Sequence, residues 1–118
     1  MSYFGQRDMD VSALGFAVGV TPMDTHYPAE IGLSRYFSDL PRGVCGTGDS
    51  FETAAPKVPC QLVDMEGYAL AKVCKKLDVR LISVKYITDG ANDTAHLDWE
   101  ENLLWGAQKL FKLYQGMQ

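Results

Sequence analysis

Residues 61–87, "QLVDMEGYALAKVCKKLDVRLISVKYI", decide the fold. QLVDM (61–65) is a short apolar run of strand length. EGYALAKVCKKL (66–77) then sets Leu70, Val73, Cys74 and Leu77 on one face and Lys72, Lys75 and Lys76 opposite. This spacing predicts an amphipathic helix whose cations lie toward its negative C-terminal end. VRLISVKYI (79–87) is rich in β-formers and predicts a buried strand. Farther on, LDWEENLLWGAQKLFKLYQ (97–115) repeats Leu103, Leu104, Ala107, Leu110, Phe111 and Tyr114 at helical spacing, a stripe read as core. Strand–helix–strand–helix over 61–115 predicts an α/β unit with parallel strands. Its crossover should be right-handed, with the long helix packing back on the sheet.

Upstream the pattern is weaker. DVSALGFAVGV (10–20) combines β-branched and aromatic residues with Gly15 and Gly19, and predicts a bent or bulged strand. TPMDTHYPAEIG (21–32) holds two prolines and reads as a loop. LSRYFSDLPRG (33–43) is ambiguous, with room for one helical turn. GVCGTGDSF (43–51) predicts a short strand ending in a glycine-rich turn. ETAAPKVPC (52–60) is broken by Pro56 and Pro59 and excludes a long helix. With no internal repeat, low-complexity segment or linker, residues 1–118 read as one domain.

Composition narrows the function classes. The chain has 118 residues, 47% of them hydrophobic and 22% charged, which fits a folded domain rather than a disordered one. Its net charge of −4 argues against a nucleic-acid backbone as partner. MSYFGQRDMD (1–10) lacks the basic and apolar blocks of a signal peptide. No apolar run approaches the ~20 residues that span a bilayer, so no membrane partner is expected. Cys45, Cys60 and Cys74 are odd in number and lack a CxxC pair, which suits a reducing compartment and a cytoplasmic protein.

The candidate chemistry lies at strand ends, where open α/β sheets bind ligands. Three turns, GTGDSF (46–51), VDMEG (63–67) and ITDGAND (87–93), each deliver acids: Asp49, then Asp64 and Glu66, then Asp89. Each acid also fits a plain structural role. Glu66 suits the first turn of a helix, where a carboxylate meets the positive dipole end. Asp49 suits a turn, and Asp89 and Asp93 suit turns or helix caps. The pattern by itself leaves both readings open. His26 and His96 are too far apart to suggest a metal site, so no metal is expected, and each reads as a surface or loop histidine. Ser50 lacks a G-x-S-x-G elbow, and GTGDS lacks the lysine of a phosphate-binding loop.

These same segments resemble a known family. LVDMEGYALAKVCKKLDVRLISVKYITDGAND (62–93) is similar to the C-terminal signature of the purine nucleoside phosphorylase and nucleosidase superfamily. There, an acid-Met-Glu-Gly/Ala helix start precedes a strand ending in Ser/Thr-Asp. Here these are Asp64-Met65-Glu66-Gly67 and Ile87-Thr88-Asp89. GTGDSF resembles the family's Ser/Thr-Gly-Asp-x-Phe turn. RDMDVSALGFAVGVTP (7–22) resembles a segment of the methylthioadenosine/S-adenosylhomocysteine nucleosidases. Lys85 stands where the family often has arginine, and Leu14 where it often has an aromatic.

The resemblance implies a three-layer αβα fold with a mixed central sheet, of which this chain matches the C-terminal half. It implies that Glu66 accepts hydrogen bonds from the ribose hydroxyls while Met65 packs on the sugar. Phe51 would stack on the purine and the Glu52 backbone would read the base edge. Asp89 would be the general acid toward purine N7, supported by Thr88. Val11, Leu14, Phe16 and Pro22 would line the 5′ pocket of a neighbouring subunit, so a homodimer or higher homo-oligomer is implied. The expected ligand is a purine nucleoside such as methylthioadenosine or adenosylhomocysteine, with water as nucleophile and no cofactor.

That chemistry is physically coherent. Departure of a purine from a ribosyl centre builds negative charge on the base, and a proton at N7 neutralises it. An aspartic acid keeps a proton at neutral pH only in an apolar, closed site or beside another anion. One carboxylate supplies the acceptor pair that a ribose diol needs. A phosphate-dependent phosphorylase and an inactive nucleoside-binding or interaction subunit remain as alternatives.

Overall fold

The apolar run at 61–65 and the glycine-bounded run at 43–51 become neighbouring parallel strands. The computed structural model describes residues 1–24 and 28–118. The described chain divides into two compact units. Unit 1 comprises Met1–Phe51 and Pro56–Ser83, and unit 2 comprises Glu52–Ala55 and Val84–Gln118.

Unit 1 holds strands β1 (Tyr3–Gln6), β2 (Glu30–Gly32), β3 (Val44–Thr47) and β4 (Leu62–Asp64), and helix α1 (Gly67–Lys76). The sheet order is β2-β1-β3-β4. β1 runs antiparallel to β2 and parallel to β3, which runs parallel to β4. The α/β class and the mixed sheet therefore stand as the sequence implies. β1 and β2 were not foreseen, the latter lying in the stretch read as a loop.

α1 lies on this sheet, and the core is Phe4, Ile31, Cys45, Tyr68 and Ala71. Phe4 is almost wholly enclosed, a burial worth about 2–3 kcal/mol. The helix forms where its periodicity predicts, but it buries a different face. Gly67, Tyr68 and Ala71 point inward, while Leu70, Val73 and Leu77 stay more than half exposed. Small residues decide this. A side-chain carbon on Gly67 would overlap the Phe4 ring, so only glycine lets the helix start approach the sheet this closely. The helix ends in a Schellman-type turn: Val79 N–H reaches Cys74 O at 2.9 Å and Asp78 takes the left-handed position at φ 54°.

Two predicted strands do not form. Residues 10–20 contain a 3-10 turn, Ser12–Leu14, instead of a bent strand. The Asp10 carboxylate accepts from Ser12 N (3.2 Å) and Ser12 Oγ (2.7 Å), and Gly15 turns the chain at φ 88°. Local hydrogen bonding of this kind competes with strand pairing. Residues 79–87 also carry no strand. Their backbone makes isolated bonds, Ser34 N–H to Leu81 O at 3.0 Å and the amino terminus to Ser83 O at 2.6 Å, without a ladder. Strong β propensity does not make a strand without a regular ladder of pairing bonds.

Unit 2 is built on helix α2 (Ala95–Gln115). Tyr86 packs its ring on the helix at Gly106, where an added carbon would sit 2.7 Å from the ring. The buried helix residues are Ala95 and Gly106. The stripe read as core is not one here: Leu103, Leu104, Leu110, Phe111 and Tyr114 are all exposed. Within this small unit Tyr86 covers the Gly106 side of the helix. The residue capping α2 is Thr94 rather than Asp93, and Asn92 ties the turn through Thr94 N–H (3.1 Å) and Thr94 Oγ1 (2.9 Å).

Candidate active site

In unit 1, three parallel strands end side by side. Gln6 lies opposite Thr47, and Thr47 opposite Asp64. The turns that follow, at 7–8, 48–51 and 65–66, therefore leave the same edge of the sheet. Two of the three turns chosen from sequence are here. The third, ITDGAND, follows no strand and belongs to unit 2.

Asp64 shapes the turn after β4. Its carboxylate accepts the Thr47 hydroxyl at 2.6 Å and the Gly67 N–H at 3.0 Å. The Thr47 oxygen in turn accepts the Tyr68 N–H at 2.8 Å. Asp64 and Thr47 thus satisfy two of the N–H groups that open α1 and place negative charge at its positive end. Glu66 is spared this work. It occupies the cap position outside the first helical turn, makes no side-chain cap bond and projects into solvent. Met65 beside it is 43% exposed. A carboxylate and a thioether are thus presented together at the sheet edge, and a carboxylate so placed has both oxygens available to hydroxyl donors.

The turn after β3 is held from two sides. Gly48 N–H donates to Asp64 O at 3.0 Å, and Asp49 N–H to the Asp8 carboxylate at 2.6 Å. The Arg7 guanidinium donates to Ser50 O and to Ser50 Oγ. Phe51 closes the turn with about half its surface exposed. The Asp49 N–H and the Ser50 carbonyl both hold the turn, which accords with the plain reading of Asp49.

The 5′-pocket candidates lie in the same unit. Val11 flanks the 3-10 turn and Leu14 ends it, the latter 72% exposed. Phe16 is 38% exposed and Pro22 half-buried. Gln6 Nε2 ties this segment to the sheet through Thr21 Oγ1 at 2.8 Å, and Lys72 on α1 pairs with Asp24 at 2.6 Å. Tyr68 completes the tether by donating to Pro28 O at 2.9 Å. Burial pushes the Tyr68 phenol above its ordinary value, with Lys72 opposing and Asp24 adding to the shift. His26 lies outside the described residues, and His96 is exposed on α2.

Unit 2 carries Glu52, Thr88 and Asp89. The Asp89 carboxylate accepts Ala91 N–H at 2.9 Å through one oxygen and the Thr88 hydroxyl at 2.9 Å through the other. Asn102 on α2 fixes Thr88 from behind, donating to Thr88 O at 3.0 Å and to Asp98 O at 2.9 Å. Ala91 sits at φ 49°, the tight reversal that brings its N–H back to Asp89. The holding residues Asp8, Thr47 and Asn102 were not singled out from sequence. Thr47 and Asp8 lie inside quoted motifs, whereas no local signal marks Asn102.

The chain is similar to several nucleosidases. A 5′-methylthioadenosine/S-adenosylhomocysteine nucleosidase of Haemophilus influenzae is 30% identical over 94% of this chain and 56% of its own length. An aminodeoxyfutalosine nucleosidase of Helicobacter pylori is 27% identical, over 95% of this chain and 56% of its own. The solved structure of a futalosine hydrolase of Helicobacter pylori superposes with a TM-score of 0.82 at 25% identity, over 98% of this chain and 56% of that one. The chain spans about half the length of the curated relatives it matches. Residues 8–117 match the sequence profile of the Phosphorylase superfamily. That match covers nearly the whole sequence, and the chain belongs to the Phosphorylase superfamily.

Proposed function

We propose that this chain serves hydrolysis of the N-glycosidic bond of a purine nucleoside, methylthioadenosine or adenosylhomocysteine being the leading substrates. The observation that carries the reading lies in unit 1. Parallel β3 and β4 set the turn bearing Phe51 beside the turn bearing Met65 and Glu66, and neighbours other than Glu66 satisfy the helix start. The relatives described above, all nucleosidases, support the same chemistry.

In this reading Glu66 accepts the ribose 2′- and 3′-hydroxyls, Met65 packs on the sugar, Phe51 stacks on the base and the Glu52 backbone reads its edge. Water adds at C1′ as the bond to N9 breaks, its surplus proton passing to solvent, and the bonding pair leaves with the purine. Asp89 delivers a proton to N7, so the base departs neutral. Thr88, bonded to Asp89 and backed by Asn102, keeps that carboxyl from swinging away. Residues 1–118 act as one nucleosidase-like domain, and the segment bearing Val11, Leu14, Phe16 and Pro22 contributes a 5′ pocket to a second copy in a homodimer.

The test is adenine release from methylthioadenosine by the full-length gene product, followed chromatographically with and without phosphate. Asp89→Asn should lower the rate about 10²–10⁴-fold while adenine binding persists, the usual contribution of a general acid. Release only in the presence of phosphate shifts the assignment to a phosphorylase. No release from any purine nucleoside, under either condition, overturns the enzyme and leaves a binding or interaction subunit.

A further inference from the structure

We propose that Arg7 and Asp8 are positioning residues that fix the 48–51 turn, and with it Phe51, before a purine arrives. This rests on the purine reading of Phe51 given above, and adds to it two residues that have no part in the proposed chemistry. Arg7 continues the ladder beyond β1, its N–H reaching Thr47 O at 2.8 Å. Its side chain then runs over β3 and the following turn, and only 5% of the residue remains exposed. The path exists because two glycines leave it open. A carbon on Gly48 would lie 2.7 Å from the guanidinium carbon of Arg7, and one on Gly46 3.1 Å from Arg7 Cβ.

The guanidinium reaches the turn that leads to Phe51. It donates to Ser50 O, with a longer contact to Ser50 Oγ at 3.4 Å. The next residue, Asp8, takes the Asp49 N–H at 2.6 Å, and Asp64 O takes the Gly48 N–H. Three successive residues ahead of Phe51 are thus held by groups from neighbouring strands. Burying a charge is costly, and an apolar side chain would fill the same space more cheaply. The planar fork of arginine instead supplies direction, which an apolar filler lacks. An aromatic ring already held in place gives up less freedom when a base stacks on it, so the clamp strengthens binding without touching the ligand.

The experiment compares unsubstituted protein with Arg7→Lys and Asp8→Ala. It measures backbone amide exchange across 48–52 without ligand, and adenine affinity by calorimetry. Arg7→Lys keeps the charge and loses the fork; Asp8→Ala alters an exposed side chain and frees the Asp49 N–H. Each should speed exchange at 49–51 and weaken adenine binding about tenfold, the value of roughly one charge-assisted hydrogen bond, with exchange in α1 unchanged. Ser50→Ala keeps the carbonyl contact and should change affinity less than about twofold, since the hydroxyl contact is long. Unchanged exchange at 49–51 in both variants overturns the clamp, and Asp8→Ala decides alone if Arg7→Lys does not fold. Faster exchange with unaltered adenine affinity overturns its bearing on the purine. Failure of the unsubstituted protein to bind adenine overturns the purine reading itself, a result distinct from both.

Discussion

Glu66 and Asp89, the two carboxylates with proposed roles in purine release, are held in opposite ways. In unit 1 the structural work at the helix start falls to Asp64 and Thr47, and Glu66 is left outside the network. In unit 2 Asp89 anchors its own turn, through Ala91 N–H and the Thr88 hydroxyl. Where support and function lie on different side chains, each can be removed separately. Where they coincide, a substitution at the functional residue also disturbs the scaffold.

The largest effect should come from the closest packing in unit 1. Gly67→Ala places a methyl group inside the Phe4 ring and should cost about 3 kcal/mol in urea unfolding, the upper range for overpacking a core. A loss below about 1 kcal/mol would mean that α1 slides freely on the sheet, against the small-residue docking described here. Next, Asp64→Ala should cost about 2 kcal/mol, because it removes a helix cap and leaves the buried Thr47 hydroxyl short of an acceptor. Glu66→Ala, two residues on, should leave stability within about 0.5 kcal/mol while abolishing ribose recognition. If these two substitutions cost the same, the division of labour in unit 1 is wrong.

The contrast sharpens at Asp89. Asp89→Ala loses both acceptors and should destabilise its turn by about 1 kcal/mol. Asp89→Asn keeps an oxygen for the Ala91 N–H and should cost less, although both variants should lose the proposed acid catalysis. Hydrogen exchange at Ala91 separates them. Equal exchange in the two variants would show that the carboxylate does not hold the turn.

The smallest effect is a dependence on pH. The raised Tyr68 phenol means that the folded state favours the neutral form. Its contribution is therefore complete below the ordinary value of 10.0 and is lost as pH rises from there toward the folded value. Urea midpoints should fall more steeply above pH 10.0 in the unsubstituted protein than in Tyr68→Phe. Parallel curves would remove Tyr68 from the alkaline limb.

How much of this was legible in the sequence differs by element, for physical reasons. β3, β4 and both helices were legible because turn formers and helical spacing are local signals. The burial of those helices was not. Periodicity favours Leu70, Val73 and Leu77 as the inner face of α1, but close approach at Gly67 and Ala71 turned a different side to the sheet. β1 hid because Tyr3–Gln6 has neither alternation nor a long apolar run, and β2 because three residues carry no pattern. Residues 79–87 show the reverse: strong β propensity with only isolated backbone bonds gives no strand. At the candidate site, motif order singled out Phe51, Glu66 and Asp89. Their holders Arg7, Asp8 and Asn102 escaped because such contacts depend on tertiary neighbours, some of them distant in the chain.

The strand order also bears on how unit 1 assembles. Its central strand β1 is made first, yet Tyr3 must wait for Gly32 on one side and Val44 on the other. Loops of that length are closed at an entropic cost before any contact repays it. α1, by contrast, needs only its own turn. During synthesis Phe4 and Ile31 therefore remain uncovered until residue 47 and the following helix have been made. Commitment to the native state should come late and together, once β2, β3 and α1 are available to β1. In that interval the most buried aromatic ring of the unit, Phe4, has nothing to pack against.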